Sequence, residues 1–318
     1  MSILITGGAG FIGTHLCRHL IEDPHTTAIR VLDEHPGDAG GALASLGVDV
    51  VQGSILDAEL LRSLASDAEV IVHLAATPVS EHTDPSLDNQ VNVGGTLAVL
   101  EAARQSPSGG RGGTHVILAS SSAVYGANPA IPAHEELTSL PRTPHAASKM
   151  AAEAFTSSYQ HAYGLSALRL RLFDVYGPGQ PAGRGSLVAD FIDAALDGRP
   201  LPIHGDGRQL RDLIDVDTVC EVMVEACVER VSSPWPMNVA SGRGTSVLGI
   251  AQLVAGCVGA GVTFRNENTF ERPLDQRADT TRMNARFRRV RPVEPAIGIA
   301  AAVEAARERR SVERFLHA

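Results

Sequence analysis

A doubly wound parallel α/β sheet with a smaller C-terminal lobe is the fold this 318-residue sequence predicts. Three observations carry the prediction. Short apolar runs alternate with helix-length stretches through the first half, the pattern of repeated strand–helix–strand crossovers. Runs such as Val70-Ile71-Val72 and Val116-Ile117-Leu118 are apolar without alternation, as strands covered by helices on both faces require. The first run, Ile3-Leu4-Ile5, passes directly into a turn with glycines at positions 7, 10 and 13.

Taken in order, strand 3–6 enters the glycine turn, and the turn opens a helix over 11–22. Strand 29–33 follows and ends in Asp33. A strand at 48–51 precedes a helix at 57–66, where Asp57 stands in front of Ala58-Glu59-Leu60-Leu61 and suits a helix N-cap. Strand 70–74, helix 89–105 and strand 114–119 continue the alternation. Ser106 to Gly113 is a Ser/Gly-rich surface loop. A long helix starts at Pro144 and runs through Lys149 and Glu153 towards Tyr163, before a strand at 167–172. Residues 1–172 form the first domain. Beyond it, Gly- and Pro-rich loops separate helices at 186–197, 217–229 and 246–257. They mark a lobe over 173–318, of which parts near 212–243 return to the first domain.

Composition narrows the function classes. The chain is 44% hydrophobic and 20% charged, with a formal net charge of −9, which opposes binding to a phosphate backbone. The arginines of Arg282-Met283-Asn284-Ala285-Arg286-Phe287-Arg288-Arg289 are the local exception, and read as a solvated face or a small anionic site. No leader precedes the first strand and no apolar run reaches the length of a membrane span, so a soluble cytoplasmic protein is expected. Cys17, Cys220, Cys227 and Cys257 show no CxxC spacing and read as reduced, buried thiols. His15 and His19 share a helical face but lack a third ligand, so no metal site is expected.

The glycine turn predicts a diphosphate site. Without Cβ atoms the backbone bends tightly and approaches the phosphates, while the free N–H groups of the following helix face the negative charge. Asp33, twenty positions after Gly13 at the end of the next strand, is placed to accept hydrogen bonds from an adenosine ribose. It would repel a 2′-phosphate, and Glu34 and His35 follow it, so the expected cofactor is NAD.

A family resemblance rests on many ordered motifs. Thr6-Gly7-Gly8-Ala9-Gly10-Phe11-Ile12-Gly13, Asp33, His73-Leu74-Ala75-Ala76, Asn92-Val93-Gly94-Gly95-Thr96, Ser120-Ser121-Ser122-Ala123-Val124-Tyr125-Gly126 and Ser148-Lys149 occur in sequence order. Val175-Tyr176-Gly177-Pro178-Gly179-Gln180, Gly205-Asp206-Gly207-Arg208, Asn238-Val239-Ala240-Ser241-Gly242 and Arg272-Pro273-Leu274-Asp275 follow them. The chain resembles the extended short-chain dehydrogenases that act on nucleotide sugars, the NAD-dependent epimerase/dehydratase family with a Rossmann-type sheet. The resemblance implies that Gly7, Gly10, Phe11, Ile12 and Gly13 contact the pyrophosphate, and Asp33 the ribose. It puts Asp57 at the adenine, with helix capping as the other role open to it, and Leu74, Ala75 and Ala76 along the cofactor. It casts Asn92 as a sheet brace, and Ser122, Asp174, Arg211 and Arg272 as substrate-side positions, the two arginines at the diphosphate of a nucleotide sugar. It also implies a homodimer through helices 89–105 and 145–163.

The same resemblance implies a reaction centre made of Ser121, four residues before the Tyr of Val124-Tyr125-Gly126, and a Tyr-x-x-x-Lys pair ending at Lys149. The tyrosine position is occupied by His145. An imidazole kept neutral by Lys⁺ and NAD⁺ is a proton acceptor near pH 7, although shorter than tyrosine. His145 is therefore either an acid/base or substrate-orienting group, or the mark of a site that has lost its redox chemistry. Asp174 replaces the Asn of an F-N-x-Y-G motif, an acceptor where an amide also donates. Ser122-Ala123 supplies no carboxyl after Ser121, which disfavours dehydration unless His134, Glu135 or Glu136 enters from the next loop. The leading expectation is 4-epimerisation through a transient 4-keto sugar. A 4-ketoreductase or dehydratase of deoxysugar synthesis and a decayed binding protein are the alternatives.

Overall fold

The computed structural model describes residues 1–77, 84–107, 114–128, 130–259, 264–267 and 274–316. The loop expected at 106–113 lies outside them from residue 108, and so does Arg272. The main sheet has seven parallel strands: β1 (Ser2–Thr6), β2 (Ala28–Asp33), β3 (Asp49–Gln52), β4 (Val70–His73), β5 (His115–Ser121), β6 (Ala167–Leu172) and a last one, Met237–Val239. Their spatial order is Met237–Val239, β6, β5, β4, β1, β2, β3. Strand order reverses between β1 and β4, and the crevice beyond their carboxyl ends is where such sheets take ligands.

Helices α1 (Phe11–Glu22), α2 (Gly37–Ser45) and α3 (Ala58–Ala65) form in the first half of the sheet. They are followed by α4 (Pro85–Asp88), α5 (Gly95–Gln105) and α6 (Pro144–Tyr163). One core cluster joins Ile3, Leu16, Val72 and Ile117 to Cys220 and Met223 of the helix Val216–Val228. Another joins Leu4, Leu61, Ile71 and Val99. Helix α2 was not anticipated: Gly37, Gly40 and Gly41 depress its propensity, and burial of Leu43 in the core compensates. The single helix expected at 89–105 is instead a π-helical segment, Asn89–Gly94, leading into α5. Such wider turns turn a side chain out of the ordinary register, here the buried Asn92.

The lobe has its own core, in which Tyr176, Phe191, Ile250 and Ile299 unite the helices Leu187–Leu196, Val247–Val258 and Pro295–Leu316. Small two-stranded sheets frame it, among them Asp174–Tyr176 paired with Leu213–Asp215. The chain crosses back after this pair: Val216–Val228 packs against α1, and Met237–Val239 extends the main sheet beside β6.

At the crevice, β1 and β4 are in register from Ile3↔Val70 to Thr6↔His73. Thr96 donates to Asn92 O (2.6 Å), so its oxygen accepts from His73 Nε2 (3.1 Å), and Thr6 Oγ1 donates to Nδ1 (2.7 Å). Burial, reinforced by Lys149, pushes His73 down to about 3, and the ring stays neutral as this network requires.

Candidate active site

The glycine loop is built to be bare. Gly7 has φ +71°, and a Cβ on it would lie 2.7 Å from Ala75 N, against the segment that leaves β4. A Cβ on Gly13 would meet Gly8 Cα and O at 2.5 Å and Gly7 O at 2.7 Å. Gly10 caps α1 without a side chain and no acid occupies the first turn, so no side-chain cap competes for the helix's leading N–H groups. Asp33 steadies the loop by accepting from Ala9 N and His35 N, both at 3.0 Å. A backbone cradle, a helix N-terminus and a ribose-height carboxylate fit an NAD diphosphate and ribose. Leu74, Ala75 and Ala76 form the partly buried far wall of that cradle.

Because the obstructing atoms are backbone, Gly13→Ala must displace the loop. Strain of about 1–3 kcal/mol is typical of overpacking, and its transfer to binding corresponds to roughly ten- to hundredfold weaker NAD affinity. Titration of the purified variant with NAD checks this; an unchanged Kd would put the diphosphate elsewhere.

Ser121 ends β5, where its Oγ accepts from Ala123 N (3.1 Å) to cap the 3-10 turn Ser122–Tyr125. Accepting that bond leaves the hydroxyl proton available to a substrate oxygen. The same turn carries Ser122 inward, to 8% exposure.

Helix α6 presents the rest of the centre. Thr143 caps it by accepting from Ala146 N (3.1 Å), with Pro144 in the first turn. Lys149 Nζ, buried, donates to Ala119 O (2.9 Å), two residues before Ser121. Burial drops its pKa to about 8, against the opposing pull of Asp88 and Glu153. His145 lies one turn back on the same face, its side chain 13% exposed. Burial first, then Lys149, lower its pKa below the ordinary 6.5, with Asp88 opposing. Its Nδ1 has no hydrogen-bond partner and stands 4.0 Å from Asp88 Oδ1.

Behind these groups runs a buried polar web. Thr77 Oγ1 donates to Asp88, and Thr77 N donates to Asn92 Oδ1 (2.9 Å). Asn92 Nδ2 donates to Ser148 Oγ (2.8 Å), which in turn donates to His145 O (2.8 Å). Asn92 thus braces α6 to the crevice rather than touching ligand. One helical turn past Lys149, Glu153 takes Arg171 Nε (2.9 Å) and Nη2 (2.8 Å) and the Ser120 hydroxyl (2.5 Å).

A cavity of about 650 Å³ opens beside Ser121, between the sheet and the lobe; His145 and Lys149 are not among its lining residues. Ile12 and Ser121 line it from the sheet, and Asp174, Arg184, His204 and Arg211 from the lobe. Asp174 Oδ2 is buried without a hydrogen-bond partner, and burial raises the carboxyl's pKa against the pull of Arg211. Asp57 is exposed and caps α3, Oδ1 accepting from Glu59 N (3.1 Å) and Leu60 N (3.0 Å). Among the described residues no three His, Cys, Asp or Glu side chains gather as a metal would need, and His15 and His19 both contact Asp217 Oδ1. Sequence reasoning missed Asp88 and Thr77, whose only signals are the four-residue spacing of Asp88 from Asn92 and the run Leu74-Ala75-Ala76-Thr77. It also missed Arg184 and His204.

The family model described as "NAD dependent epimerase/dehydratase family" matches residues 3–240, through every element of this site. The chain belongs to that family. The UDP-glucose 4-epimerase of Mycolicibacterium smegmatis is 37% identical to this epimerase/dehydratase over 267 residues, 82% of this chain and 83% of the relative. The dTDP-glucose 4,6-dehydratase of Streptomyces antibioticus is 33% identical over 69% of this chain and 66% of its own length. The Thermus thermophilus UDP-glucose 4-epimerase, solved in complex with NAD, superposes with a TM-score of 0.84 at 29% identity, covering 96% of this chain and 99% of its own. The fold and cofactor expectations hold: this is an NAD-dependent epimerase/dehydratase built on a Rossmann-type sheet.

Proposed function

We propose that this enzyme is a UDP-hexose 4-epimerase that uses His145 as its proton acceptor and donor. The observation favouring epimerisation over dehydration is the placement of the spare carboxylates. Elimination of water needs an acid or base beside the sugar's C5 and C6. Glu135 is buried away from the cavity, accepting from Asn238 N (3.0 Å), and Arg282 pairs with Glu136 (2.6 Å). His134 is exposed. What remains around Ser121 suits oxidation and reduction at one carbon.

In this reading the C4 hydroxyl lies between Ser121 and His145. NAD, when bound, supplies the acceptor and later the donor of the C4 hydride. His145 Nε2 takes the hydroxyl proton as the carbonyl forms, and Ser121 donates to the same oxygen. Lys149 holds the nicotinamide ribose, and its charge keeps the imidazole neutral. Arg211 binds the diphosphate, and Asp174 hydrogen-bonds the substrate. Arg272 remains a proposed second diphosphate contact. His145 then returns the proton once hydride has been delivered to the other face.

Incubation with UDP-glucose or UDP-galactose should interconvert them with no net change in reduced nicotinamide; a 4-keto-6-deoxy product or stoichiometric NADH consumption overturns the reading in favour of dehydratase or ketoreductase. Turnover should trace a bell against pH. Protonation of His145 removes the acceptor only below the ordinary 6.5, and loss of the Lys149 charge removes activity as pH rises through about 8. A homodimer through α5 and α6 belongs to this reading, supported by the exposed Phe155 and Tyr163. A cytoplasmic location also belongs to it, supported by the free thiols.

A further inference from the structure

We infer that Asp88 is a positioning residue for His145, the two forming a carboxylate–imidazole pair that fixes the ring as its Nδ1–H tautomer and presents Nε2 to the sugar hydroxyl. The inference rests on the reading of His145 as proton acceptor, and adds the group that orients it.

The geometry is specific. Asp88 ends the short helix α4 at 1% exposure, in a chain where isolated buried carboxylates are costly. Thr77 donates to its Oδ1, and Asn92 Nδ2 stands 3.5 Å from the same atom. Both hydrogen-bond partners are neutral; the cation that Asp88 faces is Lys149, whose charge it favours as it favours that of His145. His145 Nδ1 faces that oxygen at 4.0 Å and, like Asp174 Oδ2 on the cavity wall, is a buried polar atom without a hydrogen-bond partner. A proton on Nδ1 is attracted to the carboxylate, whereas a lone pair there would be repelled, so the neutral ring carries hydrogen on Nδ1. Nε2 is then left with its lone pair, the atom a hydroxyl proton can reach.

The pair also answers a problem of charge. When Nε2 accepts the proton, the O–H bond breaks and the N–H bond forms. The C4–H pair leaves as hydride to the nicotinamide, and C4=O is made. The imidazolium produced lies near Lys149, which opposes it, and Asp88 is the charged group facing His145 that favours it. Tyrosine at this position would become an anion, and a neighbouring carboxylate would hinder it. A histidine has the opposite need, so the exchange of base and the buried acid beside it make chemical sense together.

Asp88→Asn keeps the shape and removes the charge. With ¹⁵N-labelled histidine, wild-type His145 should give Nδ1–H signals at neutral pH. In Asp88→Asn its titration midpoint should fall further and the tautomer preference should weaken. Turnover should fall by about a hundredfold, the lower end of what positioned acid–base groups supply, with KM little changed and the acid limb displaced to lower pH. Asp88→Glu, which keeps the charge, should recover part of the turnover and of the limb. Unchanged tautomer and midpoint in a folded Asp88→Asn protein overturn the pair, as does a loss of turnover without movement of the limb. Failure of the epimerase reading looks different: the NMR shifts follow Asp88 while no UDP-hexose is converted by the wild type.

Discussion

Replacing His145 with alanine should lower epimerisation by about a hundredfold to ten-thousandfold, the range that a positioned acid–base group contributes, while NAD still binds. The grounds are local. His145 lies one turn before Lys149 on the same face of α6, and its lowered pKa leaves it a free acceptor at neutral pH. In the proposed reading NAD is held by the glycine loop and Lys149, neither of which depends on the imidazole for its shape. Initial-rate measurements with UDP-galactose beside a cofactor titration separate the two effects. Alanine with undiminished turnover would move the chemistry to another group. His145→Tyr probes the same position differently: a phenol beside Asp88 faces a repulsion that the imidazole does not, so it should work better in an Asp88→Asn background than alone.

The second large effect is on stability. Arg171→Met should destabilise the protein by about 3–5 kcal/mol, because it strands the Glu153 carboxylate inside the fold. Arg171 and Glu153 are both almost wholly buried and meet through a two-pronged contact at 2.8 and 2.9 Å. The guanidinium also lies 4.8 Å from the centre of the Tyr125 ring, whose hydroxyl donates to Asn238. Removing the cation leaves the acid with the Ser120 hydroxyl as its hydrogen-bond partner and only the more distant charges of Arg169 and Lys149. Denaturant melts should show that Arg171→Met with Glu153→Leu is more stable than Arg171→Met by itself, since it removes the stranded charge as well. If the single variant melts like the wild type, the pair contributes little.

Much of this was legible in the sequence because the first half of the chain is locally consistent. Ile3 to Gly13 read as strand, turn and helix, and each became the element expected. Asp57 read either as an adenine contact or as a helix cap, and its carboxylate caps α3. The failures have physical causes. Gly37, Gly40 and Gly41 hide α2, which exists through burial of Leu43 rather than propensity. The π-helical segment at Asn89–Gly94 has no periodic signature, yet it is what aims Asn92 at Ser148. Asp88 and His145 are far apart in sequence, and only the packing of α4 on α6 brings them together. The arginines at 282 and 286 read as a solvated face or an anion site. They are instead occupied by ion pairs, Arg282 with Glu136 and Arg286 with Glu225 and Glu229.

The strand Met237–Val239 imposes an order of events during synthesis. Leaving the ribosome, residues 1–172 contain six of the strands of the main sheet, yet the outer flank of β6 lacks its neighbour until residue 239 has emerged. Through that interval a strand that is buried along its whole length in the finished fold offers unsatisfied amides and carbonyls to any nascent copy nearby. Cutting the gene at the apparent domain boundary would make that exposure permanent, so a separately expressed sheet half would need a replacement for three residues that the chain supplies only after the first lobe helix, Leu187–Leu196, has been made.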